Sequence, residues 1–287
     1  MKIKTFLKIF AFSLLLFIVI SPLRSGFFGG LPVSSLIGFL LGLYLTIFCL
    51  ERYKVSLKPW LIFLAVIVGL WLPLAPIRII DFYGSLISLP DSLIHSLGII
   101  CGVLYWQLKK PVNFAALALC CAATVFMYFQ GYDYWLQKLN YGTFTGNVSY
   151  AQPAEFEATD RSGALLADSD IKDKIVLLDF WTTSCGVCFQ KFPYLQALHD
   201  KYKDDPAVMV MAVNTPMEGD KPGQAFGMIE ERGYTFPVVI TKDEQMAERF
   251  GVFTYPKTFI IANKTVVFYG DIWLAGGKIR ELRSSLR

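Results

Sequence analysis

Cys185 and Cys188 stand three residues apart in the run Trp181-Thr182-Thr183-Ser184-Cys185-Gly186-Val187-Cys188. The apolar segment Ile175 to Phe180 precedes that run, and a helical pattern from Phe189 to Lys201 follows it. Strand, sharp turn and helix in that order put both thiols on the first helical turn. A helix start offers unpaired backbone N–H groups and the positive end of the macrodipole, and both favour thiolate over thiol. Cys185 is therefore expected as an activated nucleophile. Cys188, one turn on, is placed to attack a mixed disulfide at Cys185 and close an internal Cys185–Cys188 bond. Asp179 interrupts Ile175-Val176-Leu177-Leu178, which has the composition of a strand buried on both faces. Burial raises the proton affinity of such a carboxyl, which suits a proton acceptor for Cys188. Ser184 is an alternative cap for the helix.

Other chemistries fit less well. A zinc site needs about four ligands, and the remaining candidates are Cys49, Cys101, Cys120 and Cys121 in apolar stretches, with His95 and His199. No metal and no cofactor is expected. Thr182 and Cys185 match the Thr-x-x-Cys part of a peroxiredoxin site, but the proline expected four residues before that threonine is Leu178.

The elements that must position these thiols fall in two parts. Residues 1 to 132 are almost wholly apolar between short charged clusters and carry ten Lys and Arg against three Asp and Glu, a net of +7. Residues 133 to 287 have the composition of an ordinary soluble domain and a net charge of −3. The overall +4 is thus a property of the apolar part and not a nucleic-acid footprint. Five membrane helices are expected near residues 5 to 23, 31 to 50, 59 to 80, 90 to 108 and 111 to 132, each about the length a bilayer core requires. Lys2, Lys4, Lys8, Arg52, Lys54, Lys58, Lys109 and Lys110 then lie on one side, against Arg24, Arg78 and Lys138 on the other. That asymmetry places the amino terminus in the cytoplasm and residues 133 to 287 outside. Ser21 to Gly30 hold no convincing small-x-small cleavage pattern, so the first helix is expected to be retained. Pro73 and Pro76 suggest a kink in the third helix. The four anchor cysteines form no Cys-x-x-Cys pair and are expected as buried filler, and His95 as solvated near the interface.

Residues 133 to 150 show no period and are expected to be a linker. From 151 the pattern predicts a hairpin (156 to 159 with 164 to 166), strand 175 to 180, helix 185 to 203, strand 208 to 213, helix 222 to 232, strand 236 to 240 and helix 243 to 250. Strands 258 to 261 and 266 to 268 and a helix at 275 to 286 complete it. Strands alternating with helices predict an α/β domain with a central sheet covered on both faces, preceded by an α-helical membrane anchor.

This order, with Asp179-Phe180-Trp181 leading to Cys185-Gly186-Val187-Cys188, Pro193 five residues later and Phe253-Thr254-Tyr255-Pro256 before a strand, resembles thioredoxin. More narrowly it resembles the TlpA/ResA group of membrane-anchored bacterial thiol-disulfide oxidoreductases, over residues 151 to 287. The resemblance implies a thioredoxin-like fold, a cis bond at Pro256, and a backbone there that binds an extended substrate strand flanked by Tyr255 and Trp181. It implies the proton-acceptor role for Asp179. It also implies client proteins with disulfides or thiols, a membrane or extracytoplasmic thiol electron donor, and a place in the bacterial inner membrane with the domain facing the periplasm or exterior. Reduction of client disulfides is the implied direction. The alternatives are a membrane redox relay through the anchor cysteines and a partner-docking membrane module. Val187 stands where the group commonly has proline, which leaves the reduction potential open.

Overall fold

The computed structural model describes residues 2–25, 29–151, 156–242 and 244–285. Its contacts divide the chain into two compact units, Met1–Leu139 and Asn140–Arg287.

The first unit is helical: α1 (Lys2–Ile20), α2 (Gly30–Tyr53), α3 (Pro59–Trp71), α4 (Ala75–Ile80), α5 (Phe82–Ser85), α6 (Leu89–Gln107), α7 (Val112–Phe126) and α8 (Tyr132–Tyr141). Among the described residues, four helical stretches are long and apolar enough to cross a membrane: Lys2–Arg24, Gly30–Tyr53, Phe82–Gln107 and Val112–Tyr141. The span expected at 59 to 80 is two helices, α3 and α4, parted at Leu72–Leu74. Pro73 and Pro76 cannot donate to the carbonyls of the preceding turn, so the helical ladder lapses there.

Small residues let α2 and α6 touch through their backbones. A Cβ on Gly98 would lie 2.3 Å from the Phe39 carbonyl oxygen, and one on Gly38 would overlap the His95 imidazole. His95 is therefore buried, contrary to the solvated placement expected for it. Its Nε2 is 2.9 Å from the Ser34 carbonyl oxygen and 3.2 Å from the carboxylate of Asp91, itself 0% exposed. Arg24 closes the group at 2.6 Å from Asp91. A buried carboxylate needs such a counter-charge, and the nearest one lies 67 residues away in sequence, beyond the reach of local pattern.

The stretch 133 to 150, expected as a linker, holds most of α8 and the start of strand β1 (Asn147–Ala151). The second unit continues with β2 (Glu157–Thr159), β3 (Leu165–Ala167), α9 (Asp168–Ile171), β4 (Ile175–Trp181), α10 (Gly186–Tyr202), β5 (Val208–Asn214) and α11 (Gln224–Glu230). It ends with β6 (Val238–Thr241), α12 (Glu244–Arg249), β7 (Lys257–Ala262), β8 (Thr265–Gly270) and α13 (Ile272–Ser285). Asp243 and Leu286, at the ends of two expected helices, lie outside the described residues. Among the described residues, eight strands form one sheet in the order β1-β8-β7-β4-β5-β6-β2-β3. Thus β1 is paired antiparallel to β8, which is why the segment before the domain is not slack.

Local chemistry explains the turns. Asp160 accepts hydrogen bonds from the backbone of Ser162 and Ala164 at 2.8 and 3.0 Å, fixing the β2–β3 hairpin. Asn263 and Lys264 take φ of 51° and 59°, the left-handed pair that a tight two-residue β7–β8 turn demands. The helix expected from 275 begins at Ile272 because Ile272, Ala275 and Ile279 bury one stripe. Gly276 and Gly277, poor helix formers near that start, dilute the helical pattern there.

Every residue of β4 is buried. It runs parallel to β5 and antiparallel to β7, at the middle of the sheet. Alternation sends Ile175, Leu177 and Trp181 into the core that contains α10 and α13, and Val176, Leu178 and Phe180 into the opposite core. Asp179 shares the face of Leu177 and Trp181, so it points toward the helix that carries the thiols.

Candidate functional site

Cys185 and Cys188 are joined by a disulfide. Cys185 is half-buried at the N-cap of α10, and the backbone N–H of Cys188 donates to its Sγ at 3.1 Å. The cap is thus the nucleophile candidate itself and not Ser184, which is exposed. An N–H aimed at sulfur stabilises negative charge there once the bond is reduced. Cys188 is 0% exposed and packs with Trp181, Phe192 and Leu195. One sulfur can meet an incoming disulfide; the other can be reached only from inside.

Asp179 is buried on β4 and accepts a hydrogen bond at 2.7 Å from the hydroxyl of Thr258, its opposite number on β7. Burial pushes its pKa up to about 7, while the Thr258 hydrogen bond and the Lys191 ammonium pull it down and Asp271 pushes it up. A carboxyl poised there exchanges a proton near neutral pH.

The cis-proline loop ends beside these groups. The Tyr255–Pro256 bond is cis. Tyr255 and Pro256 are half-buried, with Phe253 76% exposed two residues before Tyr255. Trp181 does not join a substrate face. It is fully buried, with Phe189 and Phe192 edge-on at 5.7 and 5.2 Å, because strand alternation turns it under α10. Exposed Val187, between the cysteines, is the apolar residue at the surface instead.

Several residues near the site carried no signal in the sequence. Lys191, one turn after Cys188 on α10, is ion-paired and hydrogen-bonded to Asp271, the residue before α13. Lys257 follows the cis-proline. Its ammonium sits 4.1 Å from the centroid of the Tyr141 ring and donates to the Asn140 carbonyl at 3.3 Å, and burial lowers its pKa. The Tyr141 hydroxyl donates to the Pro256 carbonyl at 3.5 Å. A lysine after proline and an aromatic residue in an aperiodic segment look like ordinary surface chain.

In the helical unit, Cys49 is buried beside Leu50 and Ile62. Cys101 on α6 and Cys120 on α7 share one apolar cluster, with Cys121 against it. They meet across helices, which Cys-x-x-Cys spacing does not detect.

Residues 151–269 match the AhpC/TSA family. The thioredoxin-like protein YneN of Bacillus subtilis is 31% identical over 138 residues, covering 48% of this chain and 79% of that protein. The thiol-disulfide oxidoreductase ResA of Bacillus thuringiensis is 31% identical over 145 residues, covering 50% and 77%. The chain belongs to the thioredoxin-like thiol-disulfide oxidoreductases. Among solved structures, this oxidoreductase is similar to a thiol:disulfide interchange protein from Bacteroides sp., at 23% identity and a TM-score of 0.39 over 45% of this chain and 87% of that one. It is an enzyme of thiol–disulfide exchange, with a thioredoxin-like α/β domain following long apolar helices compatible with a helical anchor.

Proposed function

We propose that this enzyme is held in a membrane by residues 1 to 132 and reduces disulfides of extracytoplasmic proteins through Cys185 and Cys188. The observation that carries the reading is the difference between the two sulfurs: Cys185 is half-buried at a helix cap that stabilises its thiolate, and Cys188 is buried behind it. In the reduced enzyme the Cys185 thiolate attacks one sulfur of a client disulfide, forming a mixed disulfide and releasing one client thiolate. Cys188 then loses its proton to Asp179 and attacks the Cys185 sulfur. The internal disulfide forms, the second client sulfur leaves as thiolate, and two electrons have passed to the client. The proton on Asp179 is returned to solvent or to the leaving thiolate.

Tyr255 and the cis Pro256 are the proposed docking edge for an extended client segment, with exposed Val187 and Phe253 as apolar neighbours. Orientation rests on the positive residues. With α3 and α4 taken together as one bent crossing, the eight Lys and Arg around the first, third and fifth helix starts share the cytoplasmic side. The thiol donor that recharges the site is then membrane-bound or extracytoplasmic. Equilibrating the detergent-solubilised chain with thiol buffers tests the direction: a reductant should show a potential nearer about −270 mV than about −120 mV. A value at the oxidising end would make the protein a disulfide donor.

A second reading, a redox relay through the helical unit, draws on the meeting of Cys101 and Cys120.

A further inference from the structure

Asp179 is not alone in its corner of the domain. The side chains that face it come from four elements. Thr258 on β7 holds one carboxyl oxygen. Lys191 comes from α10, on the same side of that helix as Cys188 by its three-residue spacing. Asp271 is the residue that joins β8 to α13, one past Gly270, the strand partner of Thr258. Tyr141 closes the edge, near enough for its phenol to feel the charges of Asp271 and Asp179. Lys257, behind Tyr141, feels the charges of Lys191 and Asp271. The corner therefore contains two ammonium groups and one carboxylate besides Asp179. It is charge-balanced when Asp179 is ionised and carries an excess positive charge when Asp179 is protonated.

Resting on the proton-acceptor reading of Asp179, we propose that Lys191 is a positioning residue for the resolving step: its ammonium, paired with Asp271 beside the β7–β8 register that holds Thr258, favours the ionised Asp179 carboxylate that takes the proton of Cys188. Lys191 is only a quarter exposed, so its ammonium acts from within the corner rather than from open solvent. Two opposite charges then act on Asp179 at once. The ammonium favours the ionised carboxyl and the Asp271 carboxylate opposes it, in keeping with the directions found for the two neighbours. An ion pair that merely clipped α10 to the start of α13 would hold the fold and leave the proton untouched.

The two roles separate by sign. In the full-length chain in detergent, Cys185 is converted to its glutathione mixed disulfide. The rate at which that species closes to the internal disulfide is followed by acid quench and peptide mass spectrometry across about pH 5 to 9. Asp179→Asn should remove the rise near neutrality. If the rise survives in Asp179→Asn, the acceptor reading fails and this proposal with it. With the rise assigned to Asp179, Lys191→Met should move its midpoint upward by about half to one pH unit, slowing closure about two- to fivefold at neutral pH. Asp271→Asn should move it downward, Lys191→Arg should hold it near the original position, and the Lys191→Met/Asp271→Asn double variant should fall between the singles. Single variants that leave the midpoint in place, or move it in the same direction, overturn the proposal while leaving Asp179 as acceptor. Circular dichroism confirms that each variant retains its fold.

Discussion

Thr258 donates its hydroxyl hydrogen to Asp179 at 2.7 Å, across two antiparallel strands whose register sets the two residues directly opposite one another. The bond gives the only ionisable side chain of β4 a partner inside an apolar core. It favours ionisation, yet burial wins, and the carboxyl binds its proton up to a pH of about 7. In the proposed mechanism this costly group is the one that takes the Cys188 proton.

The cost is measurable. An unfolded Asp releases its proton near pH 3.9, about three units below Asp179 in the folded chain. The folded state therefore holds the extra proton between about pH 4 and about pH 7, and the stability this contributes is lost as pH rises through about 7. Asp179→Asn keeps an acceptor oxygen for Thr258 and removes the charge. It should raise the unfolding free energy of residues 140 to 287 at about pH 8 by up to the order of 4 kcal/mol, seen as a higher urea midpoint, and change it little near pH 4. Pulse proteolysis of the full chain reports the midpoint. A gain of equal size at both pH values would mean that the proton is not the cause.

Much of this arrangement was legible in the sequence. The apolar run before Cys185 and the helix after it had to place the cysteines at a strand-to-helix turn, and the thioredoxin-like order of elements follows from alternating strands and helices. The inward turn of Trp181 was less visible, because a tryptophan beside a reactive cysteine is equally suited to surface and core. Phe189 and Phe192 decide the matter from the facing helix. The charged corner around Asp179 was hidden for another reason. Lys191, Lys257 and Asp271 are common residues at unremarkable positions, brought together only by strand register and the start of α13. The pairing of Asp91 with Arg24 and the break between α3 and α4 likewise depend on packing and on lost backbone bonds, which hydropathy averages away.

Orientation is tested independently of the chemistry. The proposed orientation, read from the positive residues, puts Arg287 outside the cytoplasm. A reporter that is active only in the cytoplasm, fused after Arg287, should stay dark, whereas the same reporter after Lys110 should be active. A bright fusion at Arg287 would reverse the topology and with it the class of client.

The anchor cysteines are expected to be packing residues even though Cys101 and Cys120 meet. Replacing Cys49, Cys101, Cys120 and Cys121 together with Ala or Ser should leave the in-cell redox state of Cys185 and Cys188 unchanged. Accumulation of the oxidised pair at normal protein levels would promote the relay through the helical unit.

The central claim is that Cys185 attacks and Cys188 resolves, and trapping in cells measures it most directly. With the resolving sulfur gone, the mixed disulfide has no internal exit, so Cys188→Ser should accumulate client adducts on a non-reducing gel that disappear on reduction. Cys185→Ser leaves only the buried Cys188 sulfur and should give no adducts. Equal trapping by the two variants, or trapping by Cys185→Ser alone, would contradict the assignment.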